Sequence, residues 1–120
     1  MFDHVGLRVR DLDASIRFYQ AALEALGLVL GPREDGYAGF GPKGSPALWL
    51  HETPKGDVTK GHVAFVAKSR DAVKKFHAAG LAAGGKDNGE PGPRADYGPK
   101  YFAAFLVDPD GNNVEAVCTA

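Results

Sequence analysis

The sequence predicts an α+β domain made of two β-α-β-β-β modules, and three observations predict it. The chain repeats itself at an offset of 58 residues: Asp3-His4-Val5-Gly6-Leu7 falls on Gly61-His62-Val63-Ala64-Phe65, and nine of the 24 pairs from His4/His62 to Gly27/Gly85 are identical. A fixed-offset repeat means a duplicated structural unit. Each copy opens on strand periodicity and runs into a helical apolar stripe, and short β-type runs between Gly/Pro turns follow. Residues 1–53 then form the first module and 60–120 the second, within one domain of 120 residues.

Taken in order, Phe2 to Arg10 alternates, with Val5, Leu7 and Val9 on one face and His4, Gly6 and Arg8 on the other. Asp11 or Asp13 caps the helix that follows, whose stripe of Ala14, Ile16, Phe18, Ala21, Ala22, Ala25 and Leu26 stops at Gly27. Three short strands are expected at Leu28–Leu30, Gly36–Phe40 and Ala47–His51. Thr53 to Lys60 is polar, holds Pro54 and Gly56, and reads as the linker. The second copy has a strand at His62–Ala67 and a helix capped by Ser69 or Asp71 that ends near Gly84-Gly85. Two last strands, Tyr101–Val107 and Asn112–Cys118, flank the turn Asp108-Pro109-Asp110-Gly111. The Gly/Pro-rich stretch Lys86–Lys100 is expected as a long functional loop.

Composition excludes several classes of function. With 14 basic and 15 acidic residues interspersed and a net charge of −1, there is no footprint for nucleic acid or an anionic membrane. No apolar run approaches the roughly 18 residues of a membrane span, and the start resembles no signal peptide. The single cysteine, Cys118, cannot form an internal disulfide, which fits a cytoplasmic protein.

Repeat symmetry lets His4 and His62 point into one shared cavity. Glu115 lies in the last strand between Val114 and Ala116, on the opposite face to both. A carboxylate there is costly to bury unless it is paired or metal-bound. Two imidazoles and one carboxylate make the facial ligand set of Fe(II), which also suits Mn, Co, Ni or Zn. Gly6 and Ala64, two residues beyond the histidines, are small, as an open cavity requires. Trp49 and Phe40 read as core, and His77 as a helix residue on the far layer.

With His4 and His62 opening the two copies and Asp108-Pro109-Asp110-Gly111-Asn112 leading to Val114-Glu115, the chain resembles the vicinal oxygen chelate superfamily over nearly its whole length. That superfamily includes glyoxalase I, extradiol dioxygenases, methylmalonyl-CoA epimerase, fosfomycin-resistance transferases and bleomycin-binding proteins. The resemblance implies a cupped mixed sheet and a divalent metal held by His4, His62 and Glu115. With seven residues added to the offset, the superfamily's fourth ligand falls at Leu50, which cannot ligate; a register slip brings His51 or Glu52 there instead.

The expected substrate wall is Arg94 to Tyr101. Tyr97 and Tyr101 are candidate donors to a bound oxygen and, with Glu115, candidate catalytic residues. Asp96 is a candidate base, and Arg94 or Lys100 a carboxylate anchor; Asn113, on the face of Glu115, is a candidate partner for it. The expectation is a metal-dependent glyoxalase-like or dioxygenase-like enzyme, a lyase or a dioxygenase, acting as a homodimer on a small oxygen-chelating molecule. A metal-free binder of the bleomycin-sequestering kind and a thiol transferase of the fosfomycin type are the alternatives.

Overall fold

Alternation and helix caps set the elements seen in the computed structural model, which describes residues 1–120. The first module runs β1 (Val5–Val9), α1 (Leu12–Glu24), β2 (Val29–Glu34), β3 (Tyr37–Gly41) and β4 (Leu48–Glu52); the second runs β5 (His62–Val66), α2 (Arg70–Ala82), β6 (Lys86–Pro93), β7 (Phe102–Val107) and β8 (Asn113–Cys118). Asp11 caps α1 by accepting from the Ala14 amide, and Ser69 caps α2 in the same way through the Ala72 amide. Gly27, at φ +79°, turns the chain out of α1 in the left-handed region that a side chain disfavours.

Each module makes its own four-stranded mixed sheet, in the orders β1-β4-β3-β2 and β5-β8-β7-β6. β1 runs parallel to β4 and β5 parallel to β8, while the other pairings are antiparallel. One face of each sheet packs on its helix, and α1 and α2 pack on each other. The buried side chains therefore form a single cluster through both modules, from Leu7, Val9 and Phe18 to Leu106, Val114 and Cys118. At the helix contact a Cβ on Gly80 would stand 2.3 Å from Leu106 and 3.3 Å from Phe18, so only glycine lets the elements approach this closely.

The stretch expected as one long loop differs from expectation: its first half is β6. Gly and Pro signalled a break, yet Lys86–Pro93 pairs with β7 through two register shifts, which accommodate the residues that cannot fit a regular ladder. Only residues 94–101 are left to connect β6 and β7.

Register corrects a second expectation. Gly6 pairs with Trp49 as Ala64 pairs with Glu115, and Gly39 pairs with Trp49 as Phe105 pairs with Glu115. The residue equivalent to Glu115 is therefore Trp49, at an offset of 66 rather than 65, because the insertion holds eight residues and not seven. A one-residue shift moves a strand's side chains to the other face. Leu50 is fully buried on the helix side, with Phe40, as core. Trp49 is half-buried on the open face, and so is not the core residue its hydrophobicity suggested.

Candidate functional site

The open faces of the two sheets carry the chemistry. On the second sheet, β5 contributes His62 and Ala64, β7 contributes Phe105, and β8 contributes Asn113 and Glu115. His62 Nε2 lies 3.0 Å from Glu115 Oε1. The other carboxylate oxygen of Glu115, Oε2, accepts from the Tyr101 hydroxyl. Only 3% of Glu115 is exposed, so these two partners offset the cost of burying it.

His62 Nδ1 is 3.2 Å from the Asn113 carbonyl oxygen, which can only accept, so the hydrogen sits on Nδ1. Nε2 then reaches the carboxylate either as a second protonated donor or through a shared cation. The phenol of Tyr101 is pushed up to about 12, first by its hydrogen bond to Glu115 and then by burial. It stays a proton donor at neutral pH and acts here as a clamp on Glu115, not as a base. The His62 ring stacks on Phe105 with centroids 6.3 Å apart, and the Arg94 guanidinium lies 5.3 Å from the same ring.

The register that makes this pair is fixed from the first module. Asn112 Oδ1 accepts from the Gly61 amide, next to His62, at 2.7 Å. Asn112 is held in turn by Asp108, whose carboxylate takes its side-chain amide at 2.9 Å and the amides of Asp110 and Asn112. Asp108 Oδ2 also accepts from Tyr19 of α1 at 2.5 Å. Asp110 takes the Arg10 amide at 3.1 Å and the Ser15 hydroxyl at 3.4 Å. The turn read only as a β7–β8 connection therefore ties β8 to α1 and β1. Its density of side-chain oxygens among turn residues was the available signal.

The remaining candidates divide. Tyr97 is 66% exposed and stands edge-on to Tyr101 at 5.3 Å. Asp96 and Lys100 are exposed and enter no ion pair. Asn113 shares the open face and its side-chain oxygen accepts from Asn88 at 3.3 Å, so it touches Glu115 through no hydrogen bond. Glu52 caps the start of α1, accepting from the Leu12 amide at 2.8 Å, and His51 is exposed on the open face of the first sheet. His77 is buried against Asp87 of β6, at 2.9 Å, on the far layer as expected.

His4 and His62 do not meet in one cavity within this chain. His4 is exposed, bonded to Asp3, and lines an apolar cavity of about 220 Å³ with Val5, Leu48, Val63 and Phe65, from which His62 is absent. No three His, Cys, Asp or Glu side chains converge on a point suited to a metal. The His62 imidazole and the Glu115 carboxylate, 3.0 Å apart, are donor types that would suit a shared divalent cation.

The family model of the "Glyoxalase/Bleomycin resistance protein/Dioxygenase superfamily" matches residues 1–116. The chain is 34% identical, over 93% of its length, to the "Probable lactoylglutathione lyase, chloroplastic" of Arabidopsis thaliana, and 34% identical to the "Putative lactoylglutathione lyase" of Brassica oleracea var. gemmifera over 97%. It spans 34% and 43% of those two proteins. Among solved structures, a glyoxalase/bleomycin resistance protein from Albidiferax ferrireducens superposes with a TM-score of 0.84 at 31% identity, covering 100% of this chain and 99% of that one. A glyoxalase I variant from Zea mays superposes with a TM-score of 0.74 at 30% identity, and there the chain covers 97% of itself and 46% of the longer protein. No helix is long and apolar enough to cross a membrane. Two sheets of matching topology, a histidine at the head of each and a match along almost every residue have one explanation: the chain belongs to the Glyoxalase/Bleomycin resistance protein/Dioxygenase superfamily.

Proposed function

We propose that the chain is a metal-dependent, glyoxalase-like lyase whose site is completed between two copies. The observation that carries this reading is the 3.0 Å approach of His62 Nε2 to Glu115 Oε1 on a sheet face otherwise open to solvent. His62 and Glu115 hold a divalent cation from one copy, and His4, on the matching face of the first sheet, supplies the third ligand from the other. The exposed apolar residues Phe2, Val5 and Val66, at 78%, 36% and 82%, lie in or beside the edge strands β1 and β5 and suit a covering copy. The Zea mays glyoxalase I is about twice as long as this chain, and a second copy stands in for its other half.

A cation so held supplies Lewis acidity toward a carbonyl or enolate oxygen. The chain's own residues do the rest. Tyr101 fixes Glu115, Asn113 fixes the His62 tautomer through its carbonyl, and Arg94 on Phe105 offers a cation to an anionic part of the substrate. Tyr97, exposed beside Tyr101, donates to a bound oxygen. A dioxygenase using the same three ligands is the second enzymatic reading.

Metal content and complementation test the proposal. Protein purified without chelator carries close to one divalent ion per chain, and His4→Ala and His62→Ala each lose it. Mixing the two variants under exchange restores one intact site in each mixed dimer and none in the unmixed ones, because only the mixed pairing brings both wild-type halves together. A metal-free wild-type protein overturns the reading in favour of a binder, and variants that fail to complement overturn the shared site.

A further inference from the structure

The first sheet's open face has no carboxylate where the second sheet has Glu115; it has Trp49. We infer that this face is a platform for a planar aromatic anion, with Trp49 as the stacking surface and Arg8 as the charge partner. This deepens the functional reading by naming a substrate class, and it rests on that reading only for the ring's position beside the metal.

Both neighbours of Trp49 across the sheet are glycines, Gly6 on β1 and Gly39 on β3. A Cβ on Gly39 would lie 2.7 Å from the indole Cζ3, so the ring rests on bare backbone and is held flat against the strand. A Cβ on Gly6 would meet nothing nearer than the His51 ring at 4.0 Å. The sheet face over Gly6 is therefore open beside the His51 imidazole. Tyr37, on β3, stands 6.2 Å from Trp49 and 6.3 Å from His51 and extends the aromatic surface on the side away from Gly6.

A flat ring stacks on the outer face of the half-buried indole, a contact that a puckered saturated ring cannot match. Arg8 sets the sign of the ligand. It is paired with His51 across the strands, faces the same way, and its guanidinium has no carboxylate partner, whereas Arg33 is engaged by Asp13. An unpaired guanidinium beside an aromatic surface recognises a carboxylate or a phenolate-type oxygen.

Trp49 is the only tryptophan, so its emission reports on the platform directly. The measurement is made on chelator-treated protein with benzoate, which is planar and anionic, against cyclohexanecarboxylate, which carries the same charge on a puckered ring. Benzoate is expected to quench Trp49 saturably and to bind about tenfold more tightly than its saturated analogue, a difference of about 1.4 kcal/mol. Arg8→Gln is expected to weaken benzoate by about tenfold. In Trp49→Leu, followed through the benzoate proton resonances, binding falls by a similar factor while metal uptake stays at the wild-type level. Equal binding of the two acids, or benzoate binding unchanged in Trp49→Leu, overturns the platform. A wild-type protein that takes up no metal yet binds benzoate as expected overturns only the metal reading.

Discussion

Removing one hydroxyl from Tyr19 tests how the second module is held to the first. Tyr19 is 1% exposed, its ring packs edge-on against Phe18 at 4.9 Å, and its hydroxyl donates to Asp108 Oδ2 at 2.5 Å. Burial and the neighbouring Asp108 carboxylate both hold the phenol well above its ordinary value, so it is a permanent donor. Tyr19→Phe keeps the ring and removes only that donor. Asp108 still accepts from two amides and from Asn112, so it is not orphaned, and the loss is that of one hydrogen bond to a charged group, about 1.5–3 kcal/mol. For a chain of this size that lowers the melting temperature by roughly 6–12 °C. Urea unfolding followed by circular dichroism should show a lower midpoint with an unchanged slope. Tyr37→Phe, on the exposed face, is the control and should stay within about 0.5 kcal/mol. A Tyr19→Phe shift no larger than the control's would refute the idea that α1 anchors the turn, and with it the account of how Asn112 sets the register of His62 and Glu115.

Two further outcomes are expected. Leu50→Ala should cost about 2–5 kcal/mol and Trp49→Leu far less, because Leu50 is wholly buried and Trp49 lies on the open face; a reversed order in denaturant titrations would contradict the assigned register. In chelator-treated protein, ultraviolet titration should find a tyrosine with its midpoint near 12 that disappears in Tyr101→Phe and returns toward 10.0 in Glu115→Gln. Since the folded state holds that proton more tightly than the unfolded chain, its contribution to stability is complete below pH 10.0 and fades as pH rises from there through about 12. A Tyr101 that titrates with the exposed phenols would mean that the hydroxyl is not clamped to Glu115.

The duplication was legible because identity survives where the two copies do the same physical job. Phe18 and Phe76 are both fully buried, and Asp11 and Ser69 cap equivalent helices. Glu115 stood out because a carboxylate in an apolar strand demands partners, and the partners are there. What could not be read was register across the hairpins. β6 carries two bulges and β2 one, and bulges add residues without any signal in hydrophobic alternation. A single uncounted residue put Leu50 where Trp49 belongs and so exchanged a core side chain for a surface one. Convergence was also invisible: repeat symmetry aligned His4 with His62 but did not say whether the two faces meet within a chain.

That last point carries the functional argument further than the ligand count does. If both sheets turned their open faces toward one another inside a single chain, an aromatic at the position equivalent to Glu115 would simply be a lost ligand. In this chain α1 and α2 pack on each other, while His62 is exposed and Trp49 half-buried on the faces of the two sheets opposite the helices. The two faces have diverged in complementary directions: one has a clamped histidine and carboxylate, the other an indole on bare backbone with an unpaired guanidinium. Under the proposed arrangement, a second copy would set the His62–Glu115 pair of one sheet against the Trp49 surface of the other, and the divergence of the two halves would make that copy part of the site.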